Sequence, residues 1–224
     1  MLRVRPLCTP SAFIKLRTEL AFPVSGGYVR GDSEVERYIR DILRFLGENP
    51  ERPGLRETPR RFVNALLELT RGLREPAPEI KFFPMEGVEY VGRVVINDVK
   101  FVSVCEHHLL PIIGTVTVIY EPLNNEVPGL SKVARYIKWL AARPILQERF
   151  TTRLASELRA VLRARYVYVK VCALHMCAII RGVKDEDMYM VTEAWSGEID
   201  NEQLQELRRT AHCRVPKIVL TKDY

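Results

Sequence analysis

Residues 166–180 read YVYVKVCALHMCAII. Valine alternates with tyrosine, lysine and cysteine in its first half, and a period of two is the mark of a strand, whose successive side chains point to opposite faces of a sheet. Val167, Val169, Val171 and Ala173 fall on one face. Continued at the same period, that face ends in His175 and Cys177, while Cys172 points the other way. The reading is a strand whose apolar face terminates in an imidazole and a thiol.

Working outward, a charged turn leads to DMYMVTEAW at 187–195, a second strand. Before the opening strand lie two helical stretches, about 131–142 and 146–164, with Pro144 marking the break between them. Earlier still, 90–104 and 112–120 are rich in valine, isoleucine and aromatic residues, and the turn-rich PLNNEVPG at 122–129 closes the second of them. The order strand, strand, helix, helix, strand, strand predicts an α+β chain. Ser33 to Leu46 has helical spacing and stops at Gly47, and Thr58-Pro59 reads as an N-cap followed by proline at the first helical position of a second helix. Pro76 to Pro84 reads as a connector. The expected division is a tail over 1–32, a helical arm over 33–74 and a main domain over 75–224.

A hydrophobic share of 47% with 28% charged residues is that of a soluble globular protein with a sizeable core. No stretch approaches the roughly 18 to 20 apolar residues of a membrane span. The first eighteen residues are basic, faintly like a transit peptide, but lack the apolar core of a secretory signal. Five cysteines, an odd number spread along the chain, predict a cytoplasmic protein with thiols free for metal rather than a disulfide framework. The net charge of +6 suits an anionic partner, yet basic and acidic residues are interspersed, which favours a small phosphorylated ligand over nucleic acid.

The chemistry concentrates in CEHHLLP at 105–111, where a chain with four histidines places two beside a cysteine. The C-x-x-H spacing of Cys105 and His108 lets one turn bring two ligands to one ion. With His107, His175 and Cys177 the candidates number five, and thiolate with imidazole favours zinc over magnesium or calcium. A closed four-ligand structural site and a three-ligand catalytic site with two histidines left to move protons both fit that collection. The H-x-E and P-C-x-x-C pattern of the nucleobase deaminases is absent.

Two further segments suit a nucleotide. GLSKVAR at 129–135 lies where a turn becomes a helix, with Ser131 as the expected N-cap, and a helix start favours anions. Lys132 and Arg135 share a helical face, and Arg181 follows the metal strand at once. QERF at 147–150 offers the amide of Gln147 and the carboxylate of Glu148, which can accept from the N–H edge of a guanine.

Taken together, CEHHLLP, GLSK with Arg135, ARP-x-x-QER at 142–149 and HMC followed by RGV at 175–183 resemble GTP cyclohydrolase I of the zinc-dependent type. The likeness runs from about Arg40 to about Gly197. It implies a tunnelling fold (T-fold), an antiparallel β-β-α-α-β-β sheet with two helices on one face, preceded by N-terminal helices and assembled as stacked pentamers into a homodecamer. It further implies Cys105, His108 and Cys177 as zinc ligands and His107 and His175 as proton-transferring residues. Ser131, Lys132, Arg135 and Arg181 would hold triphosphate and ribose, with Gln147 and Glu148 on the nucleoside. The implied reaction opens the imidazole ring of GTP by water addition at C8, releases formate and recloses to 7,8-dihydroneopterin triphosphate.

One departure bears on the substrate. Where that family carries a Thr-Ser pair, this chain has Thr192-Glu193, and an acid facing the phosphates would weaken their binding. The competing expectation is a catalytically silent zinc-containing nucleotide-binding or regulatory protein. His212 and Cys213 read as surface or packing residues.

Overall fold

The computed structural model describes residues 34–215. The expected tail over 1–32 lies outside the described residues, as do residues 216–224. Helix α1 (Glu34–Phe45) matches the periodic stretch read from the sequence, and α2 (Thr58–Leu69) follows it. The N-cap of α2 is Glu57 rather than Thr58, which instead lies inside the first turn. The connector contains a short strand, β1 (Phe82–Pro84), which pairs with β4 (Glu126–Pro128) inside the supposed turn region.

The main sheet is built from β2 (Val94–Cys105), β3 (Pro111–Pro122), β5 (Pro144–Ile145), β6 (Ala164–His175) and β7 (Met190–Gly197), in the order β5-β2-β3-β6-β7. All pairings are antiparallel except that of the two-residue β5 with β2. Between β4 and β5 runs α3 (Leu130–Ala141), and between β5 and β6 runs α4 (Gln147–Val161). Gly129, not Ser131, caps α3, so Ser131 sits in its first turn.

Both helices press their apolar stripes onto one face of the sheet. Val133, Ile137 and Leu140 from α3 and Phe150, Leu154 and Leu158 from α4 pack against Val116, Val118, Val167, Val169 and Val171, all buried. The period-two face read from the sequence is thus the helix-covered face. Cross-strand register fixes the other face: Ile119, Tyr168 and Trp195 form one row, Thr117, Lys170 and Glu193 the next, and Thr115, Cys172 and Val191 the third.

That second face is covered by α6 (Asn201–Thr210), which the sequence reading missed. Asp200 caps it by accepting from the Gln203 amide at 2.8 Å, and Leu204 and Leu207 pack on Ile119, Tyr166 and Tyr168. Beyond α6 the chain crosses the sheet. Thr115 donates to the Arg214 carbonyl at 2.6 Å, Thr117 to that of His212 at 3.1 Å, and Cys172 forms a disulfide with Cys213. Two of the cysteines expected as free thiols are therefore paired, and only Cys105 and Cys177 are free among the described residues.

Strand β6 ends sooner than its pattern suggested. After His175 the chain enters a single turn, α5 (Met176–Ile179), so Cys177 belongs to a helical turn and does not continue the strand's alternation.

Candidate active site

Three strand ends meet at one end of the sheet: the last residue of β2, the first of β3 and the last of β6. Cys105 closes β2, and a tight turn carries the chain to β3, with the Cys105 amide donating to the Leu110 carbonyl at 2.8 Å and Leu109 at φ 54°. That turn displays His107 and His108 to solvent, their rings nearly perpendicular with centroids 6.2 Å apart. On β6, His175 stands opposite Ile112 of β3, and the turn after it swings Cys177 towards Cys105.

The ligand atoms of Cys105, His108 and Cys177 lie within 4.8 Å of one another. His108 Nδ1 is 3.7 Å from Cys105 Sγ. A tetrahedral ion with zinc–sulfur and zinc–nitrogen lengths of about 2.3 and 2.0 Å would separate them by about 3.5 Å, so the donors fit such an ion in both chemistry and spacing. Burial, together with the neighbouring Cys105, pushes the Cys177 thiol above its ordinary value. A cation between the two sulfurs would remove the repulsion and favour thiolates. Of the five sequence candidates, three meet at this point and two, His107 and His175, flank them.

Cations and acids surround the group. Arg181 Nη1 lies 3.2 Å from His108 Nε2. Arg149 donates to Glu106 at 3.0 Å, tying the start of α4 to the histidine turn. Strand β5 brings that helix here: Val104 and Cys105 pair with Pro144 and Ile145, and the Glu106 amide donates to the Ile145 carbonyl at 3.0 Å. Gln147 and Glu148 therefore open α4 beside the cysteine.

The two diverge in role. Glu148 is exposed, and its charge acts on His175 in the direction of a higher pKa. Burial is the larger influence there and holds the His175 imidazole below the usual histidine value. Gln147 is 1% exposed, and its side chain turns inward to His175 Nε2, 2.8 Å from its Oε1. Thr192 and Thr151 join the same buried group. Sequence reasoning named Thr192 only as part of the Thr192-Glu193 departure and missed Thr151, although the Gln147–Thr151 spacing of four on one helix was a usable signal.

Ser131, Lys132 and Arg135 do not join this constellation. Leu130, Ala134 and Lys138 of the same helix border a cavity with residues 95–100 of β2, whereas Cys105 ends that strand. Ten residues of strand at about 3.3 Å each separate Val95 from Cys105. Arg135 instead lines a groove of about 220 Å³ with Arg71, Lys138 and Trp139. Glu193 is also away from the site, on the α6 face, where it accepts from Tyr168 at 2.7 Å and Arg208 at 2.5 Å. The acid feared near the phosphates is thus neutralised on the far side of the sheet.

A family model described as GTP cyclohydrolase I matches residues 35–214. GTP cyclohydrolase 1 of Pyrobaculum aerophilum is 56% identical over 171 residues, covering 76% of this chain and 91% of that protein. The enzyme of the same name from Pyrobaculum neutrophilum is 57% identical over 171 residues, with the same shares. That of Saccharolobus islandicus is 45% identical over 170 residues, covering 73% of this chain and 82% of its own.

Proposed function

Given that the chain belongs to the GTP cyclohydrolase I family, we propose that it opens the imidazole ring of GTP at C8, releases formate and recloses the product to 7,8-dihydroneopterin triphosphate, with Cys105, His108 and Cys177 as zinc ligands. The observation that carries the reading is the meeting of those donors within 4.8 Å beside two further histidines and an arginine. When bound, the ion supplies Lewis acidity and a water of lowered pKa.

The remaining steps fall to side chains. His175, half-buried and held below the usual histidine value by desolvation, exchanges protons with the ring being opened, and His107, exposed on its turn, serves the opposite side of the same chemistry. Arg181 meets the anionic part of the substrate, and Glu148 accepts from the guanine edge. Ser131, Lys132 and Arg135 bind triphosphate at a site that one chain leaves incomplete, because their helix begins near the opposite end of β2. A second copy would supply them, in a homo-oligomer; the family resemblance supports a decamer of stacked pentamers in a tunnelling fold.

The helical arm over 33–74 and the catalytic domain over 75–224 form the working unit. A cytoplasmic location suits a GTP-consuming enzyme, and among the described residues no helix is long and apolar enough to cross a membrane. Intracellular disulfides are known in some organisms, so the Cys172–Cys213 bond is compatible with that location.

The test is anaerobic incubation of metal-loaded protein with GTP, with formate measured and neopterin detected by fluorescence after oxidation. Equal amounts of both are expected. Neither product from protein holding stoichiometric metal would overturn the reading.

A further inference from the structure

The buried polar group beneath His175 is closed and directional. Gln147 Nε2 lies 3.2 Å from the Val171 carbonyl, 3.1 Å from the Met190 carbonyl and 3.1 Å from Thr192 Oγ1. Two of these partners are main-chain carbonyls, which only accept. The alternative amide orientation would set Gln147 Oε1 against both carbonyl oxygens, so the nitrogen must face them. That leaves Oε1 towards His175 Nε2 at 2.8 Å. An amide oxygen only accepts, so the imidazole carries its hydrogen on Nε2.

The hydroxyls are ordered by the same logic. Thr151 lies 2.7 Å from the Gln147 main-chain carbonyl and donates to it, which uses its one hydrogen. The 2.6 Å contact between the two threonines then runs from Thr192 to Thr151, leaving Thr192 Oγ1 to accept from Gln147. The circuit closes on Gln147 itself, with Gln147 and Thr151 each 1% exposed. The Gln147 amide has two hydrogens for its three acceptors on Val171, Met190 and Thr192, so one hydrogen is shared between two of them, and the part-buried network still admits a single amide orientation.

We propose that Gln147, clamped by Thr192, Thr151 and two strand carbonyls, is a positioning residue that fixes His175 as its Nε2–H tautomer and leaves Nδ1 to exchange protons with the substrate. This rests on the function proposed above for His175 as a proton-transferring residue. It also reassigns Gln147, expected from the family resemblance on the nucleoside, to a place under the imidazole. Holding a histidine in one tautomer through its second nitrogen is a general device for keeping its reactive nitrogen aimed.

The test pairs kinetics with a direct reading of the ring. Histidine labelled with ¹⁵N and ¹³C gives four sites in the chain, and His175→Asn identifies the one that matters. At about pH 8, well above the ordinary histidine pKa, magic-angle-spinning spectra of the metal-loaded protein should show His175 protonated on Nε2 alone. Thr192→Val and Gln147→Met should yield mixed tautomers and lower kcat by about tenfold or more, with KM for GTP and zinc content within about twofold of the parent. Thr192→Ser should restore both readouts. Should Gln147→Met prove too disruptive to fold, the Thr192 pair decides the matter alone.

An Nδ1–H signal for His175 in the parent overturns the proposal. So does a Thr192→Val enzyme with kcat intact, or a Gln147→Met enzyme with raised KM and unchanged kcat, the signature of a nucleoside contact. Absence of turnover in the parent would instead strike the proposed function, and the tautomer signal would still decide the role of Gln147.

Discussion

Cys177 and His107 should fail in different ways. Cys177 supplies one of three converging donors, so Cys177→Ser should lose metal and formate release together. His107 lies outside the group within 4.8 Å, and His107→Ala should keep its metal while losing turnover by about 100-fold or more. Elemental analysis beside a formate assay separates the two, and metal loss in both would refute the division of labour. Glu193 makes a different prediction. Burial raises its pKa, but hydrogen bonds from Arg208 and Tyr168 and the charges of Arg208 and Lys170 outweigh that, leaving the carboxyl below its ordinary value of 4.5. A depressed folded pKa stabilises fully above the unfolded value and is lost as pH falls through the folded one. Glu193→Gln should therefore lower the melting temperature at neutral pH, with the gap to the parent closing below 4.5. A gap constant through that range in calorimetric scans would rule out the ionised carboxylate as its source.

At the scale of elements, the arm is joined to the domain at a contact that tolerates no side chain. The Gly72 amide donates to the Ala142 carbonyl at 2.9 Å, Arg143 donates to the Gly72 carbonyl at 2.8 Å, and Trp139 donates to that of Glu75 at 2.9 Å. A Cβ on Gly72 would fall 2.1 Å from the Trp139 carbonyl oxygen and 2.9 Å from that of Ala142. Gly72→Ala should cost about 1–3 kcal/mol, as other overpacked sites do. Hydrogen exchange should report the loss as faster exchange in α2 with the sheet little changed, and uniform protection would contradict it. Most elements were legible because their periods are clean: valine recurs at every second residue of β6 from Val167 to Val171, and α3 and α4 carry apolar stripes. What escaped lacked a local period. A two-residue β5 exists only because β2 lies beside it, and Cys177 departs from the strand because the chain must turn to reach Cys105. Helix α6 did carry a signal, Asp200 ahead of Gln203, with Leu204 and Leu207 following. The candidate ligands were legible as residue types at fixed spacing, whereas the inward turn of Gln147 depends on carbonyls from two other strands.

At the scale of the molecule, residues proposed for one substrate are divided between distant parts of a single chain. Lys132 belongs to the start of α3, and Cys177 to the turn after β6. If each site takes its phosphate-binding residues from a second copy, Lys132→Ala and Cys177→Ser chains are each inactive alone. Co-assembled, they should recover up to roughly a quarter of parental activity, since random mixing pairs two intact halves at about that frequency. Mixed oligomers that remain inactive would place the whole site within one chain. A complementation assay after joint refolding or co-expression decides between them.

The bond between Cys172 and Cys213 turns 41 residues of sequence separation into a ring. That ring encloses His175, Cys177, Arg181 and all of β7 and α6. A protease cutting the exposed stretch near Lys184 would therefore not liberate the C-terminal part of the chain. The nicked molecule should gain only the mass of one water and separate into two fragments on reduction; release without reductant would show the bond to be absent. Cleavage there should leave the enzyme active, because Cys105, His108 and Cys177 all precede the cut and β7 and α6 stay bonded to the sheet.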